Sequence, residues 1–119
     1  MAKLVKQHKF RAWHKADKEW IDNFMELSLL AGLNLMLNNK VADVDIVEYT
    51  RLPDKNKQEM CESDILNSKN GIGWIEWDHT KGMWIVQSFS WWSELYKVET
   101  PEIIGNLFEN HNLLEGNNG

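Results

Sequence analysis

Four histidines and one cysteine in this 119-residue sequence, His8, His14, His79, His111 and Cys61, are the first residues to consider for metal binding, nucleophilic attack or proton transfer. Their spacing argues against such chemistry. His8 and His14 lie six residues apart, which suits neither a helical i, i+4 ligand pair nor a recognised zinc spacing, and the one cysteine is far from both. Cys61 is followed by Glu62 and has no basic neighbour in sequence to favour a thiolate, so it reads as a small, buried or half-buried side chain. Asp78-His79 beside Glu76 contains the ingredients of an acid–base cluster. Its context, DHTKG, is that of a polar hairpin turn. Gly71 and Gly73 flank Ile72 without the rest of a phosphate-cradling pattern. No catalytic residue, metal site or cofactor is expected, and an enzyme is disfavoured.

Binding has more support. Seven tryptophans are an unusual load for so short a chain. Trp84, Trp91 and Trp92, with Tyr96, could share one face of a small barrel, and Lys81 and Lys97 lie close in sequence. Rings beside cations are the ingredients of a stacking surface for bases. The plainer reading puts Trp84 in the core and packs Trp91-Trp92 in a subunit interface, where tryptophan is common. Lys3, Lys6, Lys9 and Arg11 could contact phosphates along a first strand, or form its solvated face. The formal charge of −5 weighs against non-specific DNA binding, which depends on neutralising phosphates.

The elements that must position these residues are mostly short strands. Leu4 to Trp13 alternates loosely, as a half-buried strand does, and His14 to Lys18 reads as a turn. Trp20 to Asn38 is ambiguous. Trp20, Phe24, Leu27 and Ala31 have helical spacing, with Asp17 placed to cap, but Met25, Leu27 and Leu29 also alternate with polar residues around a possible Ala31-Gly32 turn. Val41 to Thr50 reads as a strand, Pro53 to Gln58 as a loop, and Met60 to Leu66 as the next strand. Asn70-Gly71 is the strongest short turn signal. It leads into Ile72 to Asp78, with Trp74, Glu76 and Asp78 on one face and Ile75 and Trp77 on the other. His79 to Gly82 turns the chain into Met83 to Phe89. Tyr96 and Val98 should begin another short strand, Pro101 breaks it, apolar structure resumes at Ile103-Ile104, and Asn106 to Leu114 has room for one helical turn.

Bulk properties are those of one domain, or of two very small subdomains sharing a core. A chain of this size gains from oligomerisation. A single cysteine, no apolar leader and no run of about 20 apolar residues lead to the expectation of a soluble protein of the cytoplasm, away from membranes.

KFRAW (Lys9 to Trp13), YTRLPDKN (Tyr49 to Asn56), SDIL (Ser63 to Leu66), GWIEWD (Gly73 to Asp78) and IIGNLFENHNLL (Ile103 to Leu114) together resemble the YopX family, small proteins of phages and prophages. The resemblance implies an α+β chain, with a smaller mixed N-terminal part (1–48, a strand plus a helix or hairpin) and an SH3-like β-barrel (49–115), while the GNNG tail (116–119) reads from its composition as disordered. The resemblance also implies homo-oligomers. The chain departs from the family pattern at Arg51, Lys57 and Ser63, where the family usually has glycine, and at His14, where it usually has Asp. Either the loop takes another conformation here or strained backbone is held by packing. Arg51 thereby joins Lys9, Arg11, Trp84, Trp91, Trp92 and Tyr96 as a candidate binding or interface residue.

The expected function is that of a non-catalytic phage accessory module: a homo-oligomeric small barrel that binds a host or phage macromolecule. One alternative is a counter-defence protein, either an acidic inhibitor of a host nuclease or CRISPR-type complex or an oligomer sequestering a nucleotide signal. Another is a nucleic-acid-binding barrel, which the net charge does not favour.

Overall fold

A computed structural model describes residues 9–21 and 44–115 of the chain. Two compact units divide it, Met1–Tyr49 and Thr50–Gly119. The described residues are mostly strand, with one four-residue α-helix and one 3-10 turn among them. The α+β expectation is carried by no more helix than that.

In the first unit, β1 (Phe10–His14) is the middle strand. It pairs antiparallel with β2 (Glu19–Ile21) on one side and with the first part of β3 (Val44–Pro53) on the other. Alternation places Arg11 and Trp13 on one face with Val47, and Ala12 on the other. Trp13 stands directly opposite Trp20, and their rings meet edge to face at 5.1 Å. That pair corrects the helical alternative at its start: Trp20 and Ile21 belong to a strand, because a cross-strand aromatic partner outweighs weak helix propensity. Asp17 caps no helix at this point. It sits in the β1–β2 turn, where its backbone N–H donates to His14 Nδ1 at 3.2 Å. The remainder of the Trp20 to Asn38 segment, the candidates Lys3, Lys6 and His8, and the tail 116–119 lie outside the described residues.

In the second unit, the end of β3 leads to β4 (Glu59–Cys61), β5 (Asp64–Ser68), β6 (Gly71–Asp78), β7 (Met83–Gln87), β8 (Trp92–Glu94) and β9 (Glu102–Asn106). A 3-10 turn (Leu95–Lys97) precedes β9, and α1 (Asn112–Glu115) follows it. Five of these strands form one antiparallel sheet in the order β8-β7-β6-β5-β9. Met60, Leu66, Ile75, Val86, Leu95 and Val98 make the buried cluster, with Leu52, Trp84, Trp91 and Ile103 packed against it. Burying each large apolar side chain stabilises the fold by about 1.5–3 kcal/mol.

Two expectations are corrected here. Met60 to Leu66 is not one strand: β4 and β5 are separate, turned at Glu62-Ser63, and the Asp64 carboxylate accepts the Cys61 N–H at 2.8 Å across that turn. Tyr96 and Val98 do not begin a strand. Leu95 is drawn into the core, and the chain winds through the 3-10 turn to bring it there, leaving Tyr96 outside.

Candidate functional site

Strand pairing decides which aromatic residues share a surface, because residues directly opposite one another project to the same face. Trp92 on β8 faces Gln87 on β7, Gln87 faces Trp74 on β6, and Trp74 faces Ile65 on β5. The row Trp92–Gln87–Trp74 therefore crosses three strands on one face. At about 4.8 Å per strand its two tryptophans stand about 10 Å apart. The next row on this face is Glu94–Ile85–Glu76. The opposite face carries Ile75–Val86 and Trp84, which pack into the core, and Trp77, which meets Trp84 but is itself exposed.

Local bonds fix the outer row. The Trp74 indole N–H donates to Glu76 Oε2 at 2.6 Å. Phe89, 72% exposed, meets the Trp74 ring edge to face at 5.3 Å. Lys81 Nζ lies 4.6 Å above the ring of Trp92, itself 48% exposed. The β6–β7 turn places that lysine. Asp78 Oδ1 accepts the backbone N–H groups of Thr80 and Lys81 and the Thr80 hydroxyl, while its Oδ2 lies 3.3 Å from Lys81 Nζ. The Thr80 hydroxyl first, and then the Lys81 donors, hold the Asp78 carboxyl down at about 2. That carboxylate is engaged in the turn, and no bond joins it to His79. Beyond Trp92, the Glu94 carboxyl lies below its ordinary value, through its own backbone N–H first and then Lys97 and Lys81.

The structure separates the residues singled out in the sequence. Trp84 packs on the core, with its ring 5.1 Å from that of Trp77. Trp91 also packs on the core, lying across Gly71 and Gly73. Trp92 is on the face opposite Trp84. Tyr96 is 67% exposed on the 3-10 turn, with Lys97 Nζ 5.7 Å from its ring. The expected cluster of Trp84, Trp91, Trp92 and Tyr96 on one barrel face does not form, because the strand register puts Trp84 and Trp92 on opposite sides. Trp74 and Gln87, which share the row with Trp92, and Phe89, which meets Trp74, complete the surface that the sequence pattern does not single out. The alternation of GWIEWD already set Trp74 apart from the core side, but the register that joins it to Trp92 is not visible in sequence.

The basic candidates fall in different settings. In the first unit, Lys9 Nζ lies 4.5 Å over the Tyr49 ring, and the Arg11 guanidinium lies 3.7 Å over Trp20 and 5.7 Å from Tyr49. Both cations are stacked on rings, not simply extended into solvent. Arg51, in the second unit, is exposed and has a left-handed backbone (φ 70°) inside β3. Its N–H donates to Glu59 Oε2 at 3.0 Å, while Thr50 Oγ1 binds the Met60 carbonyl at 2.8 Å. Lys57 (φ 67°) and Ser63 (φ 76°) are left-handed as well. The strained alternative is thus the one realised: the conformation that glycine favours is kept without glycine. Cys61 is fully buried.

Among the described residues, no three His, Cys, Asp or Glu side chains come together as metal ligands, and no helix is long and apolar enough to cross a membrane. No curated protein matches the chain. The family model described as YopX protein matches residues 9–115, taking in both ends of the described structure and every block from KFRAW to the closing IIGNLFENHNLL. On that match the chain belongs to the YopX family.

Proposed function

We propose that this protein is a non-catalytic phage or prophage accessory module that binds a host or phage macromolecule through the outer face of its five-stranded sheet, and that it does so as a homo-oligomer. The observation that carries the reading is the Trp92–Gln87–Trp74 row with Phe89 against it. Trp92 and Phe89 are left largely in water at one end of this face, on which Ile65 and Ile85 are buried, and exposed aromatic side chains of this kind dominate binding energy when a partner covers them. Glu76, Glu94 and Lys81 around the row supply a polar rim. An SH3-like barrel is the architecture we assign to the second unit. It is supported by bonds that bring the end of β3 to β9: Ile103 N–H to Asp54 Oδ2 at 3.0 Å, and Lys55 N–H to the Pro101 carbonyl at 2.7 Å.

Native mass spectrometry of the full chain, purified gently from a phage-sensitive bacterial host, tests the proposal. The expected result is an oligomer carrying a protein partner that is lost in the Phe89→Ala, Trp92→Ala double variant while the melting temperature stays unchanged. A bare monomer, or a variant that keeps the whole assembly, would overturn it.

A further inference from the structure

A cavity of about 300 Å³ opens beside Trp91. Phe89, Trp91 and Leu114 line it together with Gly71, Ile72 and two serines, Ser88 and Ser90. At about 30 Å³ per water it has room for about ten waters, the lower end of the range for small-molecule sites. Among the described residues, no charged side chain lines it.

Three features give it the character of a built site. The Trp91 indole is half-buried but its Nε1–H is not sealed from solvent, and among the described residues no bond to a protein acceptor is made by it, whereas Trp74 gives its own to Glu76. Gly71 keeps the space beside that N–H open. Its φ of +114° is one that side chains rarely adopt, and a Cβ there would come into ordinary contact with Nε1, at 3.5 Å. Phe89 is held against Trp74 but remains mostly exposed, so one wall is an aromatic ring with little covering it.

We infer that this cavity binds a neutral, planar heteroaromatic ring of the nucleobase type. The ring stacks against Phe89 and accepts the Trp91 Nε1–H, with the two serine hydroxyls serving further polar atoms. The uncharged lining suits a base and not a phosphate, because an unpaired anion would be desolvated there without compensation. A ring bearing an acceptor satisfies the indole N–H, and an aliphatic side chain does not. This small-molecule site goes beyond the macromolecular face proposed above; the two share Phe89, and movement of the Trp91 signal with adenosine tests the cavity whether or not a macromolecule covers that face.

The test follows the indole N–H signals of ¹⁵N-labelled full-length protein, with Trp91 assigned through Trp91→Phe, while adenosine and a short oligoadenylate are titrated separately. The expected result is saturable movement of the Trp91 signal with adenosine. Phe89→Ala should weaken binding at least about fivefold, the lower end of the loss seen when a stacked base loses its ring partner. Phe89 is exposed, so this variant keeps the test valid even if Trp91→Phe unfolds. Equal affinity for adenosine and the oligoadenylate assigns a free nucleoside-type ligand; affinity that rises with length assigns the base of a strand. No movement at Trp91 up to the solubility of adenosine, or movement confined to other tryptophans, would overturn the inference.

Discussion

Arg51, Lys57 and Ser63 each hold a left-handed backbone that an L-residue adopts at a cost of about 1–2 kcal/mol. Glycine avoids that cost but loses about 0.5–1 kcal/mol in chain entropy. Arg51→Gly and Ser63→Gly should therefore each raise stability by about 0.5–1 kcal/mol, read as a higher urea midpoint with an unchanged slope. A lower midpoint would mean that the side chain makes packing contributions larger than the strain. The sequence posed this question without answering it. Loss of glycine is compatible with a new loop shape or with a strained old one, and the difference lies in bonds made far along the chain. The Ser63 N–H reaches the Ile75 carbonyl at 2.9 Å, and the Ser63 carbonyl accepts the Leu107 N–H at 2.9 Å. No local pattern around residue 63 announces either partner.

Among the elements, β6 and β7 were the most legible. GWIEWD alternates cleanly, HTKG is turn chemistry, and the pairing of Trp77 with Trp84 follows once the turn is placed. Short segments were less so. Three residues at Leu95–Lys97 carry too little periodicity to separate a strand from a 3-10 turn, and what decides is Leu95 entering the core. Gly73 shows the same dependence on distant partners. A Cβ there would lie 2.7 Å from both the Gln87 carbonyl oxygen and Val86 Cγ1, and 3.3 Å from the Trp91 ring. Gly73→Ala should destabilise the second unit by about 1–3 kcal/mol, the usual range for overpacking. Thermal denaturation together with the Trp91 indole signal checks this: the signal should move in the variant, and an unshifted signal at wild-type stability would disprove the close fit.

At the scale of the whole molecule, three of the described carboxylates, Asp54, Asp78 and Glu94, lie below their ordinary values and shape the acid response. Burial opposes the charge on Asp54, but the backbone N–H groups of Ile103, Gln58 and Asn56, with Lys55 nearby, prevail and set its carboxyl below the ordinary value. Asp78 is also lowered, to about 2. A group lowered in the folded state contributes stability that is fully present above its unfolded value, about 3.9 for Asp, and is lost as pH falls through the folded value. Stability should therefore hold down to about pH 4 and decline between there and about pH 2. Urea midpoints across this range should show that decline, with a shallower slope in Asp54→Asn. An identical slope in the variant would show that Asp54 does not contribute.

The bonds from Asp54 and Lys55 to Ile103 and Pro101 have a further consequence, for growth of the sheet. A strand at the rim of a sheet is a template on which another chain can be added. On the β9 side that template is already occupied, because the outward N–H of Ile103 is taken by a carboxylate and the Pro101 carbonyl by a backbone N–H. The opposite rim, β8, is three residues long. Were two copies to join these five-stranded sheets, they would meet β8 to β8 about a twofold axis, and the joined sheet would keep only its two β9 rims. Extension would end in a closed pair and not in a fibre.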